Sequence, residues 1–579
     1  MNKITRPQSL ETQKSVYPSL AEIRDKIQAD NDISKTRKRD QTSAITRLCQ
    51  MIGREPFLMT SDLNVVKNAF ETVHPAQVGV SRKTLQTLKS NVLSAIRHIT
   101  GKTSGGSGRQ KLSADWQRLM DLLPNRGYRA ALSRLARYCS TNGISPDDVR
   151  DEIIPSFIKH IHTETFARKP NDIHRRATRA WNFAMKNVPG WPNHILSVPS
   201  FRKPRQSFPI EAFPKSLQKD IENHIFWLSG QDFLAEHQPP KPCKPRTIDQ
   251  RLKTLLLTAS TQIHEGVPIE DIRSLSDIVA VDAMKLALNH YWKKTNQTGT
   301  AFMHGMAKTA ISIARSYVRA DDTQIEGLRV LKRRLGKQPV GLTSKNRGTL
   351  RQFEDPSNIL RLLDLPELII NQKRLKKLSE YRVAVQVQIA LAISILLHAP
   401  LRMHNLTHLR LDTHIVRPGG KTGPVLIVIP ATETKGGQIL EYPIEGFTRE
   451  MLDRYLSQYR PLICDDGAPW LFPSKGGKCK SQKTLSQQIG EAILKHTGLT
   501  MTPHQFRHFA AKMGLDNNPG NMMGISQLLG HKSIKSTEHS YTELQTANAS
   551  RHYDQILEQR REEIAQMPPQ RHKRKGPKS

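Results

Sequence analysis

Cysteine is scarce in this chain: five in 579 residues, at positions 49, 139, 243, 464 and 479. Spacings that wide supply neither a disulfide framework nor a Cys-x-x-Cys metal knuckle, and they imply a reducing compartment. No apolar run follows Met1-Asn2-Lys3-Ile4-Thr5-Arg6, so no secretory leader is expected. Long uncharged stretches are also rare. The exception, Val383 to Leu401, holds Gln386, Gln388 and His398 and reads as a buried core helix rather than a membrane span. The sequence has no Gly-x-x-x-x-Gly-Lys-Ser/Thr loop to cradle a nucleotide phosphate and no clear acidic metal triad, so neither cofactor nor metal is expected.

Acidic residues are outnumbered: 52 Asp and Glu stand against 88 Lys and Arg, giving a net charge of +36 and a pI near 10.1. A surplus of that size calls for a polyanionic partner. The basic residues are spread along the chain and no amphipathic anchor stands out, which favours nucleic acid over a membrane surface. The expected location is therefore cytoplasmic, associated with the nucleoid.

The length exceeds what one hydrophobic core fills, and several domains follow. Residues 1–40 read as a polar arm with some helix, and 41–100 and 112–200 as helical modules. A third helical module occupies 247–334, and 355–555 form the largest domain, followed by a basic tail at 556–579. In each of the three modules a helix stops at glycine with proline close behind: Gly53 then Pro56, Gly143 then Pro146, and Gly266 then Pro268. Within the first, Leu85, Leu88, Val92, Ile96 and Ile99 share one helical face. The stretches 101–108, rich in glycine and serine, and 238–246, rich in proline, read as linkers, as does the basic segment 332–347. In the last domain Val425–Ile429 and Ile439–Ile444 read as strands flanking Gly436-Gly437. The fold class is mainly α with a small antiparallel β-sheet.

The chemistry gathers near the end of the chain. Thr502-Pro503 opens a helix, so His504, Arg507 and His508 lie on one face. A guanidinium offers a planar fork to phosphate oxygens, and imidazoles move protons near neutrality. His504 and His508 also have the spacing of a helical zinc pair. Position 505 is Gln where a zinc protease needs a glutamate base, and Arg507 would repel the metal.

Upstream stand Ala399-Pro400-Leu401-Arg402 and Thr434-Lys435-Gly436-Gly437; downstream stand Leu528-Leu529-Gly530-His531 and Ser540-Tyr541. This series resembles the tyrosine recombinase, or phage integrase, family, over about Asn358 to Tyr553. The resemblance implies a catalytic set of Arg402, Lys435, His504, Arg507, His531 and Tyr541. Arg402 and Arg507 would neutralise the non-bridging oxygens while Tyr541 attacks phosphorus, His504 acting as base and His531 as a donor to phosphate. Lys435 would protonate the departing 5′ oxygen.

The implied function is site-specific recombination of double-stranded DNA through a 3′-phosphotyrosine, integrating or excising a mobile element. A tetramer on DNA, or a partnership with related protomers, would carry it out, with no ATP. The third module would be the core-binding domain. An impaired architectural DNA-binding protein and a type IB topoisomerase-like enzyme are the alternatives. Three departures from the family pattern are visible: Pro400 replaces a glycine, Asn405 replaces an acid, and His531 and Tyr541 lie ten apart, one more than is common. That interval leads to the expectation of a lengthened or shifted loop carrying the phenol.

Overall fold

The computed structural model describes residues 17–100, 112–165, 167, 169–201, 206–231, 239, 241–337, 341–372, 375, 378–420, 423–464 and 467–566. Outside these residues lie the 101–108 linker, the first part of the expected arm, and positions 238, 240 and 338–340 of the other two linkers. The extreme basic tail, including Arg571–Lys575, lies outside them as well. Contacts divide the chain into two units: residues up to Pro199 together with those from Gly341 onward, and Ser200–Val340.

Helices dominate, and they begin where hydroxyl or carboxylate caps receive the free amides. Ser19 and Asp62 cap Leu20–Ala29 and Leu63–Thr72 in this way. Leu20, Ile23 and Ile27 pack with Ile45 and Leu48 of Lys35–Ile52 and with Leu85, Leu88, Val92 and Ile96 of Arg82–Thr100. A second core gathers Trp116, Leu132, Phe157 and Trp181. In the unit Ser200–Val340, a third core joins Leu255, Met284 and Met303 to Phe213, Leu217 and Ile221, so the helix Lys215–Ser229 belongs to it.

The three glycine stops share a local geometry. Gly53, Gly143 and Gly266 have φ of +63°, +67° and +101°, which an L side chain adopts only under strain. Each is followed by a short 3₁₀ turn entered at or next to proline: Pro56–Leu58, Pro146–Asp148 and Ile269–Asp271.

The largest core runs from Leu342 to Tyr541. Its axis is the helix Glu380–His398, in which 11 of 19 residues are buried. By length and composition this helix is apolar enough to cross a membrane, and it is the one such helix among the described residues. Its apolar side chains pack within the protein core. Gln388, fully buried at its middle, donates to the Tyr455 hydroxyl at 3.0 Å and the Pro473 carbonyl at 3.2 Å.

Against this helix lies a three-stranded antiparallel sheet, β1 (Ile415–Val416), β2 (Val425–Ile429) and β3 (Leu440–Ile444), in that order. Val425 pairs with Ile444 and Ile429 with Leu440. The period of two turns Val425, Ile427, Ile429, Leu440, Tyr442 and Ile444 inward. The fold is thus mainly helical with one small antiparallel sheet. Four helices, Gln482–Thr497, Gln505–Asn517, Met522–Leu528 and Ile534–Gln566, complete this part.

Candidate active site

The site is built outward from a helix start. Thr502 and Gln505 close the turn before the helix: the Thr502 backbone amide donates to Gln505 Oε1 at 2.8 Å, as does the Thr502 hydroxyl at 3.0 Å, and the Gln505 amide donates to the Thr502 carbonyl at 2.9 Å. The regular helix begins at Gln505, one residue after His504. Arg507, on its first turn, points inward and is 4% exposed. Its guanidinium donates to the Pro400 carbonyl at 2.8 Å and to the Leu529 carbonyl at 2.5 Å. Those two acceptors belong to the segments that carry Arg402 and His531.

Arg402 is half-buried at the entrance to the helix Met403–Thr407. Burial lowers its pKa, and the charge of Arg402 is felt at Arg507, His504, His531 and Tyr442. Burial brings Arg507 down to about 10, with Arg402 contributing in the same direction. Two guanidinium groups thus share one small volume, an arrangement suited to a dianionic or anionic oxygen cluster.

Position 400, a proline here, contributes only its carbonyl, so its side chain does not disturb the Arg507 contact. Asn405, where the family has an acid, donates to the Glu433 carbonyl at 3.3 Å and ties the Arg402 helix to the β2–β3 connection. That connection spans ten residues, and its tip is closed by Thr434. The Thr434 hydroxyl donates to the Gln438 carbonyl at 2.9 Å and accepts from the Gln438 amide at 3.1 Å. Lys435 sits on this tip with its side chain exposed. A Cβ on the adjacent Gly436 would come within 3.0 Å of the Gly530 carbonyl, so the tip lies directly on the turn leading to His531.

His531 is half-buried, and its Nδ1 is 2.8 Å from the Thr537 hydroxyl. Burial, then Arg507 and Arg402, bring its pKa down to about 4. Tyr541 is 2% exposed. It is carried by a helix: the 33-residue helix Ile534–Gln566 starts three positions after His531, and the phenol emerges from its second turn. The expected lengthened loop is absent because the interval is absorbed as regular helix. Burial pushes the Tyr541 pKa up to about 12, partly opposed by Arg507.

Five of the six sequence-expected residues, Arg402, His504, Arg507, His531 and Tyr541, therefore fall in one cluster of charge, and the backbone of Gly436 brings the tip that carries Lys435 against the turn before His531. Sequence reasoning left two further groups out of the catalytic set. Tyr442, on β3, feels both arginines and donates to the Leu528 carbonyl at 2.8 Å. His508, rather than His504, touches the phenol: its Nδ1 lies 2.9 Å from the Tyr541 hydroxyl. His504 is exposed, its ring centroid 5.3 Å from that of His508. The surrounding protein and the two arginines lower its pKa. The adjacency of His508 to Arg507 was visible in sequence; the direction in which its helix face looks was not.

The domain that carries these residues resembles known proteins. Residues 369–548 match the phage integrase family. The tyrosine recombinase XerC of Pseudomonas aeruginosa (strain LESB58) is 28% identical over 120 residues, covering 21% of this chain and 38% of the relative. XerC of Azotobacter vinelandii is 31% identical over 124 residues, 21% of this chain and 39% of that one. The chain thus spans about two-fifths of the length of these curated relatives. Among solved structures, a lambda integrase tetramer bound to a Holliday junction aligns over 55% of this chain and 77% of that one, at 16% identity and a TM-score of 0.33. Residues 369–548, which carry Arg402, Arg507 and Tyr541, thus form a phage integrase family domain similar to that of tyrosine recombinases.

Proposed function

We propose that the protein is a site-specific DNA recombinase that cuts and rejoins strands through a 3′-phosphotyrosine, integrating or excising a mobile element. The observation that carries this reading is the convergence of a buried phenol with two guanidinium groups from segments about 100 residues apart. A phosphodiester resists attack because its anionic oxygens repel nucleophiles and its alkoxide is a poor leaving group. Arg402 and Arg507 answer the first difficulty. A preorganised donor of this kind contributes about 3 to 4 kcal/mol to the transition state.

The Tyr541 oxygen forms a bond to phosphorus as the bond to the 5′ oxygen breaks. His504 accepts the phenolic proton, Lys435 delivers a proton to the departing 5′ oxygen, and His531 donates to a non-bridging oxygen. The phosphotyrosine conserves the phosphoester, so a 5′ hydroxyl from a second strand reverses the step without ATP. Double-stranded DNA is the substrate, and exchange between two duplexes requires several protomers. The helical core of Ser200–Val340 takes the role of core-binding domain. The two cores before it serve as further DNA-binding or assembly modules; the first takes in Leu20, Ile23 and Ile27 of the expected polar arm as well as the module 41–100, and the second lies within 112–200.

A nicked suicide duplex carrying the recognition site tests the reading. The wild-type protein should become covalently attached to the 3′ end, and Tyr541→Phe should bind the same DNA without attachment. Specific binding with no wild-type adduct would replace the enzyme by an architectural protein.

A further inference from the structure

The hydrogen bonds around His508 fix more than its position. They can be read in one direction because they start from a group whose role is not in doubt, the backbone N–H of Thr502. That amide can only donate, so the Gln505 side-chain atom 2.8 Å from it is the oxygen. Gln505 Nε2 then points the other way, 2.7 Å from the Thr349 hydroxyl and 3.2 Å from Asn346. Thr349 spends its own hydroxyl hydrogen on the Lys345 carbonyl at 3.1 Å, which leaves a lone pair for Gln505. The Asn346 atom facing Gln505 must likewise be its oxygen. Asn346 Nδ2 therefore faces His508 Nε2 at 3.0 Å.

An amide nitrogen donates only, so His508 Nε2 is bare and accepts. A neutral imidazole carries one proton, which then sits on Nδ1, 2.9 Å from the phenolic oxygen of Tyr541. We propose that Asn346 is a positioning residue which holds His508 in the Nδ1–H tautomer, so that His508 donates a hydrogen bond to the Tyr541 oxygen and never accepts its proton.

The inference rests on the recombinase reading for its catalytic meaning, but its geometry does not depend on it. Burial, then the charges of His504, Arg507 and His531, bring the His508 pKa down to about 4, so the ring is neutral at pH 7 and has one proton to place. As donor, His508 favours the phenolate over the phenol and aligns it, while the phenolic proton leaves to His504. The nearest histidine is thus excluded as base, and the same N–H waits to hold the tyrosyl oxygen when religation expels it. The device joins Asn346, on the helix Ser344–Arg351, to a nucleophile almost 200 residues later.

The test reads the tautomer directly. Full-length protein with 15N-labelled histidine, without DNA, is examined by two-bond 1H–15N correlation at pH 7, with His508→Gln identifying the ring signals. The expected wild-type pattern is protonated Nδ1 and unprotonated Nε2. Asn346→Asp, whose carboxylate can only accept, should move a proton onto Nε2. On the suicide duplex the same variant should form adduct at least tenfold more slowly with unchanged DNA affinity, and Asn346→Ser, which keeps a hydroxyl donor, should recover part of the rate. A wild-type ring protonated on Nε2, or an Asp variant with an unmoved proton, overturns the proposal. Should Asn346→Asp not fold, the wild-type spectrum alone still decides. A correct tautomer in a protein that forms no adduct would leave this arrangement standing while removing the recombinase reading.

Discussion

At the scale of single residues, the decisive group is the guanidinium of Arg507. Its planar fork reaches two carbonyls that lie more than 120 residues apart in sequence, at Pro400 and Leu529, and a lysine has neither the plane nor the span. Arg507→Lys should lower single-turnover adduct formation by about 100-fold or more, in line with the loss of one preorganised donor. DNA affinity should change little, since most of the binding charge is elsewhere. A variant within threefold of wild type would show that the clamp has no part in the reaction. The surrounding imidazoles tell the same story of dry, positive surroundings. His508 and His531 are both held near pKa 4, so neither carries a proton it could lose at neutral pH.

At the scale of elements, the close approach of the β2–β3 connection to the turn before His531 is made possible by glycine. Gly530 has φ of +56°, and a Cβ there would meet the Leu440 side chain at 2.6 Å. Gly530→Ala combines a left-handed backbone with a steric conflict, so it should destabilise the domain by about 1 to 3 kcal/mol. It should also slow adduct formation by separating Lys435 from His531. Chemical unfolding and the suicide duplex measure the two effects, and an unaltered midpoint with full activity would rule the approach out as a constraint.

Much of this element structure was legible beforehand. Apolar, β-branched runs on either side of Gly436-Gly437 marked β2 and β3 to within a residue, and the uncharged run around Gln388 marked the core helix. The phenol's setting was misjudged because an interval of ten residues does not announce whether it is loop or helix; Ser536, Thr537 and His539 are weak formers, and packing of Thr537 and Tyr541 decides the matter. Asn346 and Gln505 could not have been found. Nothing in either local sequence signals a contact across some 160 positions.

At the scale of the whole molecule, separate cores and a large positive charge set how it responds to acid. His224, in the Ser200–Val340 unit, is 2% exposed, and burial with the nearby Arg251 brings its pKa to about 4, as for His508 and His531. A base whose folded pKa lies below its unfolded value of about 6.5 takes up a proton more readily when unfolded. Stability is therefore intact above pH 6.5, declines as pH falls from about 6.5 to about 4, and levels off below. Each imidazole contributes a slope of at most about 1.4 kcal/mol per pH unit. Urea midpoints at pH 7 and pH 5 should show the loss in wild type, reduced for the catalytic core in His508→Gln. Equal midpoints at the two pH values would contradict it.

The double grip of Arg507 has one more consequence. A partly formed chain, still emerging or locally melted, has no place to seat that guanidinium and hence no way to cradle a strand. On the reading proposed above, the capacity to break DNA would arrive only with the closing of the last core, which would make completeness of folding itself the safety catch.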